Sequence, residues 1–379
     1  VRILQVIHSV DPRGGGPIEG IKQLAAPMIA RGHQVEVLSL DQPGATWTGD
    51  LPFHAIGDGR PGYGYAPSVV KWLVDHANDY DITLVHGLWQ FGGFAVWRAA
   101  RRTGKPYGVF THGMLDPWFK RRYPVKHLKK WLYWPWGEYR VLRDARAVFF
   151  TCEQERQDAR ESFWLYRCRE EVIGFGITAP PPDVAGPLAA FRDRFPALND
   201  KRLLLFLGRM HEKKGCDLLL RAFAKSSADL HLVMAGPMEG AYAEWLRRLA
   251  AELGLTDRIT WTGMIQGDLK WGAFRAAEAF VLPSHQENFG ISVVEALACG
   301  CPVLISDKVN IWREIVADDA GLVETDTEAG AIRLLERWMS TTPAERQRHG
   351  ERALSCFERH FQVEEVARHL VGSLSVLIN

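Results

Sequence analysis

Two glutamates, Glu287 and Glu295, stand in the stretch Leu282 to Pro302, which reads L-P-S-H-Q-E-N-F-G-I-S-V-V-E-A-L-A-C-G-C-P. Glu287 falls in a loop after a strand-like run, and Glu295 falls about one turn into the helix-like apolar run Ile291 to Ala298. A carboxylate in such surroundings is costly unless something hydrogen-bonds it, and a ligand hydroxyl is a suitable partner. Asn288, Phe289 and Gly290 would present backbone N–H groups at the helix start, where an anion is favoured. Taken alone, the E-x7-E spacing fits a solvated loop acid and a half-exposed helix acid more readily than a ligand site. Upstream, the apolar run Leu203 to Leu207 ends in Gly208, followed by Arg209 and then by Lys214 before Gly215. Arginine forks onto two phosphate oxygens and lysine adds a compact charge, so the two together suit a diphosphate. Lys213 and Lys214 by themselves would fit an ordinary solvated pair.

Other segments carry weaker signals. Gly14, Gly15 and Gly16 precede a helix-like run but match neither G-x-G-x-x-G nor the P-loop. They fit equally a turn that lets backbone approach a ligand and a turn that is merely structural. His112, in T-H-G-M, follows the strand-like run Tyr107 to Thr111. Asp79 and Asp81 form a D-x-D, a pattern that can hold a divalent metal, but they fall at the entry to the strand Ile82 to Val85, the wrong end of a parallel sheet for a ligand. No metal site is expected from them. Neither G-x-S-x-G nor H-E-x-x-H occurs.

The elements that must position these residues alternate between period-2 apolar runs and helical spacing. Arg2 to Ile7, Gln34 to Leu40, Ile82 to Val85, Tyr107 to Thr111 and Ala147 to Phe150 are expected strands, with helices over Ile18 to Ala30 and Phe91 to Thr103. From Thr178 to Pro196 the chain is rich in Pro, Ala and Asp and is expected to be an exposed connection. Beyond it, strands are expected at Arg202 to Leu207, Leu230 to Ala235, Ile259 to Thr262, Ala279 to Leu282 and Pro302 to Ile305, and helices dominate from Thr327. The fold class is therefore α/β: two doubly wound, Rossmann-like units in tandem, with ligands bound at the carboxyl ends of strands.

The 379 residues suit two or three domains, and the composition is that of an ordinary globular chain. A formal charge of +1 argues against a general nucleic-acid binder. Cys152, Cys168, Cys216, Cys299, Cys301 and Cys356 lack any C-x-x-C pair, which favours reduced core thiols over a zinc site or a disulfide framework, and hence the cytosol. No apolar stretch reaches the roughly 18 residues of a membrane span, and since the sequence opens on a strand-like run, no signal peptide is expected. Residues 117–136 hold six basic side chains (Lys120, Arg121, Arg122, Lys126, Lys129, Lys130), seven aromatics and no acid. That mixture suits a lipid headgroup zone, and equally a solvated basic face over a Trp-rich core.

Taken together, the segments G-R-M-H-E-K-K-G at Gly208 to Gly215, G-P at Gly236 and Pro237, G-M-I at Gly263 to Ile265 and E-N-F-G-I-S-V-V-E-A-L-A-C-G-C-P-V at Glu287 to Val303 resemble the retaining glycosyltransferases of family 4, whose fold is called GT-B. The Gly-rich loop, R-G-H at Arg31 to His33 and T-H-G-M-L-D-P-W at Thr111 to Trp118 extend the likeness to nearly the whole chain. The resemblance implies two Rossmann-like domains facing a central cleft: an acceptor-binding domain over 1–178, a nucleotide-sugar domain over 179–360, and a C-terminal helix within 361–379 that crosses back to the first. It implies that Arg209 and Lys214 bind the donor diphosphate, Glu287 with the backbone of Asn288, Phe289 and Gly290 the transferred sugar, Glu295 the ribose, and the backbone around Met264 and Ile265 the base. His112 would contact the sugar, and Gly14, Gly15 and Gly16 would close over donor phosphate and acceptor. Many family members read P-N-G where this chain has Gly174, Phe175 and Gly176.

Positive groups that stabilise a departing diphosphate do so without a metal ion or another cofactor. With the retention of configuration that the resemblance implies, the expected reaction is a metal-independent transfer of a hexose from a UDP- or GDP-sugar to a glycan or lipid-linked acceptor. Bacterial polysaccharide or glycolipid synthesis on the cytoplasmic face of the inner membrane is the expected setting. A nucleotide-sugar epimerase of the same fold, or a catalytically idle nucleotide-sugar binder, would use the same diphosphate site; acceptor dependence and slow donor hydrolysis separate the three.

Overall fold

The computed structural model describes residues 1–11, 16–47, 49–226 and 229–378. Two compact units result, Val1–Thr178 with Val363–Asn379, and Ala179–Gln362. In the first, seven strands run β1 (Arg2–Ile7), β2 (Gln34–Ser39), β3 (Phe53–Ala55), β4 (Ile82–His86), β5 (Tyr107–Phe110), β6 (Ala147–Phe150) and β7 (Glu170–Val172). They form one parallel sheet in the order β3-β2-β1-β4-β5-β6-β7. The second unit holds β8 (Arg202–Leu207), β9 (Leu230–Ala235), β10 (Ile259–Gly263), β11 (Ala279–Leu282), β12 (Val303–Ser306) and β13 (Gly321–Glu324), also parallel, in the order β10-β9-β8-β11-β12-β13.

Both orders reverse direction once, between β1 and β4 and between β8 and β11. At such a switch point the loops leaving the two central strands diverge to opposite faces and leave a crevice at the carboxyl ends. The central strands are buried on both faces because helices cover both sides: every residue of β9 is buried, as are Leu203 to Phe206 of β8. The two α/β units of the expected fold class are present.

Two local features differ from the reading of the sequence. The stretch 178–196 is not one exposed connection, since Ala185–Arg194 is a helix that packs on the helix Gly267–Ala276. Pro187 and Phe191 are its buried side chains, and Gly272 lets the two helices close, since a Cβ there would collide with the Pro187 carbonyl. The short strands β3, β7 and β13 extend the sheets beyond the strands expected from apolar runs. At the C-terminus, the helix Val363–Ile378 packs on the helix Gly16–Ala30 in the first unit, burying Val363, Val366, Ala367, Leu370, Leu374 and Leu377.

Candidate active site

In the second unit the crevice is built from the loops that leave β8 and β11. Three glycines stitch the strand ends together: Gly208 N–H donates to the Ala235 carbonyl (2.9 Å) and Gly236 N–H to the Gly263 carbonyl (2.9 Å). Gly236 has φ +144° and no room for a side chain, because a Cβ would strike the Gly208 carbonyl. Gly215, at φ +64°, likewise lies against the Pro283 carbonyl, so the loop after β8 rests directly on the loop after β11.

Between these glycines the turn Glu212–Lys214 is capped by His211, whose Nδ1 accepts from Lys213 N–H (3.1 Å). The Lys213 carbonyl accepts from Ser284 Oγ (2.7 Å) and His285 N–H (2.8 Å), locking the two loops together. That lock brings Lys214 Nζ onto Glu287 Oε2, both side chains being largely withdrawn from water. Arg209 is exposed and has no ion-pair partner among the described residues. Glu287 is held by its backbone, donating to Lys308 O (2.9 Å) and accepting from Asn310 N–H (3.0 Å).

Gly290, at φ +82°, starts the helix Ile291–Ala298, whose first N–H groups have no intrahelical acceptor. Phe289 is buried and meets Phe361 edge-on, at 5.7 Å between ring centres. Glu295, on the same helix, takes Lys270 Nζ at 2.6 Å; Lys270 comes from the helix after β10 and was not singled out by its spacing. Met264 is exposed and Ile265 buried just after β10. Arg209, Lys214, Glu287 and the 288–290 backbone therefore share the crevice end of β8 and β11, while Glu295 and Met264 stand toward the β10 side.

In the first unit, His112 follows β5 in a left-handed conformation (φ +49°), a strained geometry for a residue other than glycine. The buried Glu155 holds the strained segment on both sides. Its Oε1 accepts from Thr111 Oγ1 (2.6 Å) and Gly113 N–H (2.6 Å), and its Oε2 from Thr151 N–H (2.8 Å) and Thr151 Oγ1 (2.6 Å). His86, at the end of β4, lies against His112, with Nδ1 2.9 Å from His112 Nε2 and Nε2 2.7 Å from Gln5 Oε1.

With Gln5 Oε1 as acceptor, His86 carries its proton on Nε2 and accepts at Nδ1, so His112 donates from Nε2 and keeps its Nδ1 lone pair. Burial pushes His112 down to about 4, against the pull of Glu155, and burial with the neighbouring His112 pushes His86 well below the ordinary histidine range. Both rings are neutral at pH 7. Sequence reasoning missed His86 and Glu155. His86 ends an apolar strand, and Glu155 stands in a run, E-Q-E-R-Q-D, whose polarity reads as solvent-facing.

Of the remaining expected residues, Gly16 opens the helix Gly16–Ala30, and Gly14 and Gly15 lie outside the described residues. Asp81 is tied to Arg2 through its side chain (2.7 Å) and backbone N–H (2.8 Å) at the amino end of β4, remote from the carboxyl-end crevice. The G-F-G turn packs against Gly20, where any side chain would overlap the Phe175 ring.

Residues 15–176 match the "Glycosyl transferase 4-like domain" and residues 189–355 match "Glycosyl transferases group 1". The chain belongs to the group 1 glycosyltransferases. Among its curated relatives, a D-inositol 3-phosphate glycosyltransferase of Mycolicibacterium smegmatis is 34% identical over 172 residues, 44% of this chain and 39% of the relative. The enzyme of that name in Streptosporangium roseum is 30% identical over 280 residues, 69% of this chain and 61% of the relative. The alignments thus span less than two thirds of these group 1 relatives.

Solved structures agree in fold. Sucrose-phosphate synthase from Thermosynechococcus elongatus superposes with a TM-score of 0.78 at 20% identity, covering 99% of this chain and 98% of that one. Anabaena HepE in complex with UDP and glucose gives 0.77 at 17%, covering 99% of both. The two parallel-sheet domains are those of a GT-B group 1 glycosyltransferase.

Proposed function

We propose that the protein transfers a hexose from a nucleoside-diphosphate sugar to a glycan or lipid-linked acceptor, with retention of anomeric configuration and without a metal ion. The observation that carries this reading is the Lys214–Glu287 pair, made where the loop after β8 rests on the loop after β11 at the switch point, with exposed Arg209 on the first of those loops. In this reading Arg209 forks onto the diphosphate, Lys214 adds a second charge, and the N-terminal N–H groups of the Ile291–Ala298 helix complete a positive cradle. As the bond from the anomeric carbon to the phosphate oxygen lengthens, the growing negative charge falls on groups already oriented toward it.

Glu287 and the 288–290 backbone hold the transferred sugar, Glu295 the ribose, and the backbone at Met264 and Ile265 the base. His112, neutral, accepts a sugar hydroxyl at Nδ1. Gly14, Gly15 and Gly16 serve the acceptor and the donor phosphate. No carboxylate is assigned as a nucleophile, so the acceptor hydroxyl attacks from the leaving-group face and gives its proton to the departing phosphate. HepE, solved with UDP, with UDP-glucose and with UDP and glucose, lends support to a UDP-sugar among the donors.

A membrane-bound acceptor is supported by the helix Pro124–Tyr133, which buries none of its side chains. Val125 is 72% exposed, Leu128 58% and Leu132 61%, interleaved with exposed Lys126 and Lys129. No helix among the described residues is long and apolar enough to cross a membrane. The reading is peripheral docking on an anionic leaflet at the cytoplasmic face, in polysaccharide or glycolipid synthesis. Lys130 takes no part, since its Nζ sits over the Trp89 ring at 4.5 Å.

A thermal-shift screen of UDP- and GDP-sugars identifies the donor, because a ligand bound only by the native state raises Tm. NMR of the first-formed product then gives its anomeric configuration. Retention is expected; inversion, or no donor that shifts Tm, contradicts the proposal. The K126E/K129E variant is expected to lose binding to anionic liposomes, and undiminished binding refutes the docking surface.

A further inference from the structure

Another polar cluster in the second unit has no part in the donor chemistry. The helix Trp312–Ala317 and its capping residue Asp318 set Glu314 and Asp318 one turn apart, and the helix Pro343–His360 sets Cys356 and His360 at the same spacing. Residues four apart share a helix face. The helices pack with Cys356 Sγ 3.9 Å from the Glu314 carbonyl oxygen.

The ligand-capable atoms of Asp318, Cys356 and His360 all lie within 4.8 Å of one another, with His360 Nε2 3.1 Å from Asp318 Oδ2. Arg359 occupies the other Asp318 oxygen, Oδ1, at 2.6 Å. Glu314 Oε2 is buried and has no hydrogen-bond partner among the described residues. A buried carboxylate oxygen without a donor is a standing cost that a cation would remove.

We propose that Glu314, Asp318, Cys356 and His360 form a structural zinc site. One thiol, one imidazole and two carboxylates make a mixed set that suits Zn²⁺, whereas Ca²⁺ and Mg²⁺ call for oxygen alone. Ligand atoms around a tetrahedral zinc stand about 3.5 Å apart, so Asp318, Cys356 and His360 close onto the ion by about an ångström of side-chain rotation, and Glu314, outside that trio, turns its carboxylate in as the fourth ligand. Zinc replaces the Cys356 thiol proton, which leaves to solvent, while His360 coordinates through Nε2 as the neutral ring.

Four protein ligands leave no open position, so the ion would tie helices together and activate no water. It would pin the end of the Pro343–His360 helix just before the chain leaves the second unit at Gln362. The pattern escapes a search for paired cysteines because it is C-x3-H on one helix, with Glu314 lying 42 residues upstream of Cys356.

The test titrates the full chain, stripped with a chelator and dialysed, with ZnCl₂ against a chromogenic competitor and, separately, with CoCl₂. The expected result is uptake of a single equivalent of zinc, a thiolate-to-cobalt charge-transfer band with the visible bands of tetrahedral cobalt, and a zinc-dependent rise in Tm. H360Q and C356S are expected to lose all three. His360 is half-buried at the end of its helix, so H360Q tests the site even if C356S does not fold. Failure of the wild-type chain to take up zinc, or an unchanged cobalt spectrum in H360Q, overturns the proposal. Neither result bears on donor binding, which the nucleotide-sugar thermal shift reads independently.

Discussion

Replacing Glu155 by glutamine tests how the His112 loop is held. The carboxylate accepts four hydrogen bonds from buried donors, two on each oxygen. Glutamine keeps one acceptor oxygen and turns an NH₂ group toward the other pair. A threonine hydroxyl there rotates to accept from that group, but the backbone N–H beside it, of Gly113 or Thr151, is left facing a donor. A stranded buried N–H costs about 1–3 kcal/mol, and the loss of charge assistance in the surviving bonds adds to it, so E155Q should destabilise the first unit by about 2–4 kcal/mol. The strain of His112 at φ +49° is then no longer offset, and the loop should relax.

The assays are urea denaturation followed by tryptophan fluorescence and steady-state kinetics once a donor is identified. The expected outcome is a lower unfolding midpoint with the second unit's transition unmoved, and a fall in kcat with donor KM little changed. An unfolding midpoint for E155Q equal to that of the wild type would refute the reasoning, because four short bonds to a buried carboxylate would then be contributing nothing.

At Glu287, glutamine releases Lys214 from its ion pair, so a nucleoside diphosphate no longer competes for that charge. Calorimetry should show diphosphate binding tightened about 10-fold, or about 1.4 kcal/mol, with a smaller gain for the nucleotide sugar; weaker diphosphate binding in E287Q counts against the assignment. Glu138 is fully buried and its burial raises its carboxyl to about 7, with Trp89 N–H donating to it at 2.7 Å. Its pKa is higher folded than unfolded, so its favourable contribution is complete below the ordinary carboxylate range and is lost as pH climbs through about 7. E138Q, neutral throughout, should therefore exceed the wild type in stability at pH 8 by up to about 3 kcal/mol and match it near pH 4. Stability curves that run parallel across that range exclude the effect.

The strands that were legible in the sequence are those covered on both faces. Leu203 to Phe206 are apolar throughout and Leu230 to Ala235 apolar but for the hydrogen-bonded His231, because helices flank both strands on either side. The edge strand β7, E-E-V, is half-buried and pairs Glu170 with Arg160, and β3 is likewise only half-buried, so neither needs an apolar run. The helix Ala185–Arg194 was hidden because its contact with the Gly267–Ala276 helix rests on Pro187 and Phe191 and on a close backbone approach at Gly272, which leaves no apolar stripe to read.

The site divides in the same way. Arg209, Lys214 and Glu287 were singled out because they follow apolar strand-like runs; each alone fits a solvated charge, and it is the pairing of Lys214 with Glu287 across 73 residues that sets them apart. Lys270, His86 and Glu155 act through contacts between elements distant in sequence, with Glu155 reaching Thr111 across 44 residues. No local pattern encodes such a contact.

The grip on the diphosphate is tested most directly by calorimetric titration of the nucleoside diphosphate into the wild-type chain and the R209A/K214A variant, with folding of both checked by circular dichroism. Each lost charge-assisted contact is worth about 1.5–3 kcal/mol, so affinity should drop at least about 100-fold. Binding by the double variant within about threefold of the wild type, less than 1 kcal/mol, would contradict the account.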